Sequence, residues 1–213
     1  MRWIGLLVAA ALLALLIWRL PVNGWGSLLW FAGVALMGVI RTPYEATSKE
    51  VSTTQSLQNG LENALLAGVA IGSGVLPALH LATGLFSFAD YPVVGWWPFL
   101  GVPVVAIGLW LFWRSHADLG RNWSVTLELR DEHGLVTSGV YERIRHPMYT
   151  AIFIVYAAQA IFIHNWIAGF SGLAAFGLMY VLRVPREEAM MHEQFGEAYA
   201  AYCERTGRLL PGL

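Results

Sequence analysis

Charge is scarce in this 213-residue sequence: Asp, Glu, Lys and Arg make up 13%, about half of what a soluble globular domain carries. With 57% apolar residues, that scarcity excludes a water-soluble domain and identifies an integral membrane protein. A basic excess is lacking too. Thirteen Lys and Arg against fourteen Asp and Glu leave a formal charge of -1, so no global positive field exists to hold nucleic acid. The single cysteine, Cys203, leaves no disulfide framework and no Cys-rich zinc site; it reads as an ordinary helix side chain, and no metal is expected. Walker A, Gly-x-Ser-x-Gly and His-Glu-x-x-His patterns are absent, which removes the common phosphoryl-transfer, acyl-hydrolase and metalloprotease templates. Gly72-Ser73-Gly74 is followed by Pro77 where a dinucleotide fingerprint needs its third glycine, and it sits in an apolar run, so no Rossmann domain is expected. The lack of a convincing internal repeat weakens a transporter reading.

What is present is a series of long apolar runs. Measured against the roughly 20 residues a spanning helix needs, six candidates emerge: 3–18, 24–40, 64–89, 91–113, 147–163 and 166–182. The first two are short and would be completed by snorkelling arginines at Arg2, Arg19 and Arg41. The first is expected to be a retained helix and not a cleaved signal peptide, since no Ala-x-Ala-type site closes it before Arg19 and Pro21. The last two are separated only by His164 and Asn165, which calls for an antiparallel helical hairpin. With a cytoplasmic amino terminus, twelve of the thirteen basic residues fall inside and only Arg19 outside, so the positive-inside rule favours six spans with both termini cytoplasmic. A composition rich in alanine and leucine with one lysine suggests a bacterial inner membrane.

The polar chemistry is concentrated in two segments. Residues 114–146 hold ten charged residues in thirty-three, and the tail 183–213 holds nine in thirty-one, against 13% for the whole chain. The Ser-, Thr- and Gln-rich stretch 41–60 reads as a solvated linker, and His80, at bilayer depth, is as consistent with a structural role as with a functional one. Residues 143–149 read Arg-Ile-Arg-His-Pro-Met-Tyr, and Pro147 suits the first turn of a helix. Free N–H groups at that helix start, together with Arg145, could receive an anion, although Arg145 as a membrane-edge anchor explains the same residues. After the last run, Pro185 is expected to open a new helix through Glu187 and Glu188, whose simplest role is to match the helix dipole; if the helix runs on instead, Arg183 and Glu187 pair. The hairpin brings these two clusters together. An anion-binding helix start opposite two carboxylates complements a zwitterion such as the amino-acid end of S-adenosylmethionine. Met191, Phe195, Tyr199 and Tyr202 form an amphipathic stripe of packing residues that could lie on the membrane surface or cover the site.

These segments resemble a known family. Residues 119–123 (Leu-Gly-Arg-Asn-Trp), 134–141 (Gly-Leu-Val-Thr-Ser-Gly-Val-Tyr), 145–149, Arg183, Glu187-Glu188, 195–199, Tyr202 and 208–211 are similar, in order and spacing, to the carboxyl-terminal half of the isoprenylcysteine carboxyl methyltransferases. The resemblance covers about residues 108–213 and divides the chain into an amino-terminal membrane part, 1–107, and a methyltransferase core, 108–213. It implies an all-α integral membrane enzyme in which the 114–146 connector and the carboxyl-terminal helix form a cytoplasmic cap over S-adenosylmethionine. It further implies that Leu135, Val136, Gly139, Tyr141, Arg145, His146 and Tyr149 line the cofactor pocket and that Glu187 and Glu188 close it. The same resemblance makes Arg183, Glu187 and Tyr149 the catalytic set, with Arg183 orienting a prenylated or otherwise lipidic carboxylate that enters from the bilayer. Alternatives are a phospholipid-amine N-methyltransferase, an NADPH-dependent sterol-type reductase of the membrane, and a non-enzymatic membrane scaffold.

Overall fold

A computed structural model of the chain describes residues 2–48, 55–56, 60–120, 128–129 and 134–212. Nine α-helices occur among them: α1 (Arg2–Trp18), α2 (Leu20–Asn23), α3 (Gly26–Ser48), α4 (Gly60–Ala70), α5 (Leu76–Thr83), α6 (Gly101–Leu119), α7 (Pro147–Phe162), α8 (Ser171–Phe195) and α9 (Glu197–Arg205). The only ladder among the described residues is a two-residue antiparallel pairing of β1 (Gln55–Ser56) with β2 (Glu128–Leu129), so the fold is all-helical in character.

Among the described residues, three of the six expected spans appear as segments long and apolar enough to cross a membrane: Gly26–Glu45, Gly60–Thr83 and Trp97–Leu119; α1 and α7 are apolar but shorter. The second of these passes through a π-helical turn at Ile71–Val75. Large apolar side chains face outward along the helices, among them Trp3, Leu7, Val39, Ile107, Trp110 and Val181. Outward-facing apolar surface on this scale belongs against lipid, because in water it would drive association.

Helix α7 is the hub. Ala158 and Phe162 join Leu16, Trp30 and Leu81 in one core cluster; Val155 and Tyr156 join Leu65, Phe176 and Met179 in a second; Ala151 joins Leu111 and Phe112 in a third. It lies close against α6 because Gly108 presents no side chain: a Cβ there would come within 2.8 Å of Val155 Cγ2. The bundle therefore packs across the boundary at 107/108, and the start of α7 is held where α3, α6 and α8 converge.

Two helix boundaries differ from those the sequence suggests. The connection between α7 and α8 occupies residues 163–170, not only His164 and Asn165. The reason is the buried Asn165, whose Oδ1 accepts hydrogen bonds from the N–H groups of Ile167 and Ala168 while its Nδ2 donates to Phe86 O and to Asp90 Oδ1. That side chain builds a turn where the apolar run reads as helix, and it leaves His80 beside Asp90, with His80 Nε2 at 3.5 Å from Asp90 Oδ1. Pro185, expected to open a helix, instead lies inside α8, which runs unbroken for 25 residues. An interior proline costs on the order of 3 kcal/mol. Contacts on both sides of it offset that cost: Arg183 pairs with Glu62 on α4, while Glu187 and Glu188 are tied to α7 and its approach.

Candidate functional site

The sequence 143–149 folds as a short extended approach followed by helix because Pro147 takes the first turn of α7 and His146 precedes it as the cap residue. The approach is held by the tail. Ile144 and Gly207 form a parallel bridge, Arg145 N donates to Gly207 O at 2.8 Å, His146 N donates to Arg208 O at 3.0 Å, and Gly207 N donates to Arg143 O at 3.2 Å. Thr150 Oγ1 adds a bond to Leu209 O at 2.7 Å. The last residues of the chain thus fold back over the start of α7.

Because α8 is continuous, Arg183, Glu187 and Glu188 project from its polar half toward that start. Glu188, 8% exposed, receives three cationic or donor side chains. Arg145 Nε stands 3.3 Å from its Oε1, His146 Nε2 3.2 Å from the same oxygen, and Arg208 NH2 2.6 Å from Oε2. Arg145 NH1 also donates to the carbonyls of Cys203, at 3.0 Å, and Thr206. The guanidinium is therefore engaged within the protein, clasping α8 to the tail.

Glu187 is the more open carboxylate, with 27% of its side chain exposed. Tyr149 donates its hydroxyl to Glu187 Oε2 at 2.8 Å, and His146 Nδ1 lies 3.9 Å from Oε1. Arg183 Nε is 4.0 Å from Glu187 Oε2, the pairing expected of neighbours one turn apart on an unbroken helix. Arg183 itself is buried, and its NH1 sits 2.8 Å from Glu62 Oε1. Of the residues singled out in the sequence, the structure brings Arg145, His146, Tyr149, Arg183, Glu187 and Glu188 into one cluster.

Electrostatically, burial pushes the Glu188 carboxyl up, but hydrogen bonds and charge from His146 and Arg208 outweigh it and bring it down from 4.5 to about 2. A carboxyl held below its unfolded value stabilises the fold above pH 4.5 and loses that contribution as pH falls toward 2. Thermal unfolding of detergent-solubilised protein should therefore show a midpoint that falls between pH 5 and pH 2.5 on this account, with a shallower fall in Glu188→Gln, which has no proton to take up.

The described part of the connector is anchored to α6 and to the tail. Leu135 and Val136 are half-buried, while Tyr141 is buried and donates its hydroxyl to Ser115 O at 3.3 Å. Tyr202 in turn donates to Tyr141 O at 2.6 Å; burial raises its hydroxyl to about 12, so it stays a donor at neutral pH. Tyr199 and Tyr202 are thus buried packing residues of α9, as a packing stripe requires. Gly139 has φ +65° and lies against the Asp118 carboxylate, whose Oδ2 accepts from Val140 N at 2.9 Å. Gly139→Ala should cost about 1–2 kcal/mol for the left-handed backbone alone, with steric overlap on Asp118 in addition. Limited proteolysis should show faster cleavage of the connector in that variant. Arg121, Asn122 and Trp123 of the sequence motif lie outside the described residues.

Three contributors escaped sequence reasoning: Glu62, Asp118 and the Arg208–Glu188 pair. Glu62 stands at the lip of an apolar run, where a carboxylate needs a counter-charge, but nothing in the sequence identifies Arg183 as its partner.

Comparison with known proteins follows the same residues. Residues 96–198 match the family described as phospholipid methyltransferase. Protein-S-isoprenylcysteine O-methyltransferase B of Arabidopsis thaliana is 28% identical over 119 residues, which cover 54% of this chain and 60% of that protein. The Homo sapiens protein-S-isoprenylcysteine O-methyltransferase is 32% identical over 120 residues, 55% of this chain and 42% of that protein. The chain thus spans roughly half the length of these relatives. The structure of the eukaryotic intramembrane Ras methyltransferase, isoprenylcysteine carboxyl methyltransferase, superposes with a TM-score of 0.58 at 20% identity, covering 96% of this chain and 74% of the other. In sequence over its carboxyl-terminal half and in fold over nearly its whole length, the chain is similar to the isoprenylcysteine carboxyl methyltransferases.

Proposed function

We propose that the protein is an S-adenosylmethionine-dependent membrane methyltransferase that esterifies the carboxylate of a prenylated or otherwise lipidic acceptor. The observation that carries this reading is the opposition of Glu187 on α8 to His146 and the start of α7, a carboxylate facing a helix amino end across one site. Such a pair suits the two charges of the cofactor's amino-acid end: Glu187 takes the ammonium, while first-turn N–H groups of α7 and His146 take the carboxylate. Arg145 and Glu188 close the tail over the site, and Leu135, Val136, Gly139 and Tyr141 line its connector wall. The bound cofactor would supply a methyl group already activated on a sulfonium, so the protein's tasks are alignment of the acceptor and exclusion of water. An acceptor carboxylate is ionised at neutral pH and needs no base, only a cation to orient it. Arg183, at the apolar wall, is that cation. Tyr149 holds Glu187 in place through its hydroxyl.

The cap sits over the polar end of the bundle, which we place in the cytoplasm with both termini, so the reactive position faces the membrane and a lipidic acceptor enters sideways from the bilayer. The matched family's description names a phospholipid acceptor, and methylation of a phospholipid at an amine would need a base to remove a proton. The relatives named above are O-methyltransferases by name, which favours an oxygen acceptor and so the ester. Incubating the purified protein with methyl-labelled S-adenosylmethionine and a membrane lipid extract tests the choice. Label released as methanol by mild base supports a carboxyl ester; label retained in the phospholipid fraction after base overturns it in favour of the amine.

A further inference from the structure

Glu62 lies in the first turn of α4, 1% exposed, outside every motif that carries the family likeness. A first-turn carboxylate is favoured by the helix dipole, but burial among apolar side chains demands a counter-charge. Arg183 provides it from α8. Its NH1 is 2.8 Å from Glu62 Oε1, while its Nε is 4.0 Å from Glu187 Oε2. Two carboxylates compete for one guanidinium, and the distances show that Glu62 holds it more closely. The outcome leaves Glu187 Oε2 to the Tyr149 hydroxyl at 2.8 Å. Were Glu62 neutral, the i,i+4 geometry of an unbroken helix would let Arg183 close onto Glu187. Glu187 would then be neutralised from within. A guanidinium carries five N–H donors in a planar fork, so one carboxylate can fix its plane while a second is received.

We propose that Glu62 is a positioning residue: by drawing the Arg183 guanidinium toward α4 it keeps Glu187 open for a cationic ligand group and keeps Arg183 turned toward the acceptor. This rests on the reading of the site as one for S-adenosylmethionine, with Glu187 as the partner of its ammonium. It also gives the amino-terminal half of the chain, which carries none of the recognised motif, a part in the chemistry through Arg183.

The test is calorimetric titration of S-adenosylmethionine into the full-length protein in detergent, for the wild type, Glu62→Gln and Glu62→Gln/Arg183→Gln, at a temperature where all remain folded by circular dichroism. Glu62→Gln keeps the side-chain volume and removes the charge. Affinity is expected to fall about tenfold in that variant, the scale of one charge-assisted hydrogen bond, and to return to within about threefold of wild type in the double variant, which has no guanidinium to close on Glu187. Recovery on removing a second charged group is not what a merely structural loss would give. Unchanged affinity in Glu62→Gln overturns the proposal, as does a loss that persists or deepens in the double variant. A wild type that binds no S-adenosylmethionine overturns the functional reading and this inference with it, which separates the two failures. If Glu62→Gln does not fold, Glu62→Asp carries the same test, because it keeps the charge but withdraws it from Arg183 by one methylene; an unchanged affinity there is again the contradicting result.

Discussion

Glu188→Ala should be among the most destabilising single changes in this protein. The carboxylate is shared by Arg145, His146 and Arg208, which come from the approach to α7 and from the tail, so its removal leaves the buried His146 and the Nε of the half-buried Arg145 without this acceptor. Breaking a buried charge cluster by removing one partner costs on the order of 3–5 kcal/mol. The Arg208 part is small, since that side chain is 53% exposed and its charge is screened; the weight lies on Arg145 and His146. For a chain of this length the loss corresponds to a drop in thermal midpoint of about 10 °C. Because Arg145 also holds the Cys203 and Thr206 carbonyls, the tail should become protease-sensitive before the bundle unfolds. Glu188→Gln, which keeps one acceptor oxygen, should lose about half as much. A thermal midpoint for Glu188→Ala within 2 °C or so of wild type would contradict the clasp.

Arg183→Lys should leave S-adenosylmethionine affinity near wild type and lower kcat by roughly 10- to 100-fold, the worth of a charge-assisted hydrogen bond that orients the acceptor. Lysine keeps the charge that Glu62 needs but loses the planar fork that fixes a carboxylate. Loss confined to the chemical step appears as a lower kcat with the cofactor constant unchanged. Glu187→Gln should show the opposite pattern, weaker cofactor binding with a smaller effect at saturation. An Arg183→Lys protein with normal turnover would reduce Arg183 to an anchor of α8 on α4.

Long apolar runs are the strongest signal such a sequence carries, and three of the six expected spans appear as segments long and apolar enough to cross a membrane. The meeting of the two charged clusters was readable for a different reason: Pro147 fixes where α7 starts, and the charged residues around it have few other places to go. Pro185 misled because a proline reads locally as a helix start, whereas three interactions with distant segments carry α8 through it. Asn165 marked the turn but not its length. Its side chain, making four hydrogen bonds, extends the connection from His164-Asn165 to residues 163–170. Glu62 and Asp118 were invisible as contributors because their importance lies in partners far along the chain, Arg183 and Val140, that no local pattern connects. Local chemistry names the groups that need a partner; only packing decides which partner arrives.

The measurement that tests the central claim most directly is calorimetric titration of the detergent-solubilised protein with S-adenosylmethionine and, in parallel, with NADPH. The account predicts saturable one-to-one binding of S-adenosylmethionine, weakened by Glu187→Gln, and no binding of NADPH. Binding of NADPH by a protein that takes no S-adenosylmethionine would contradict it and move the site to the membrane reductases.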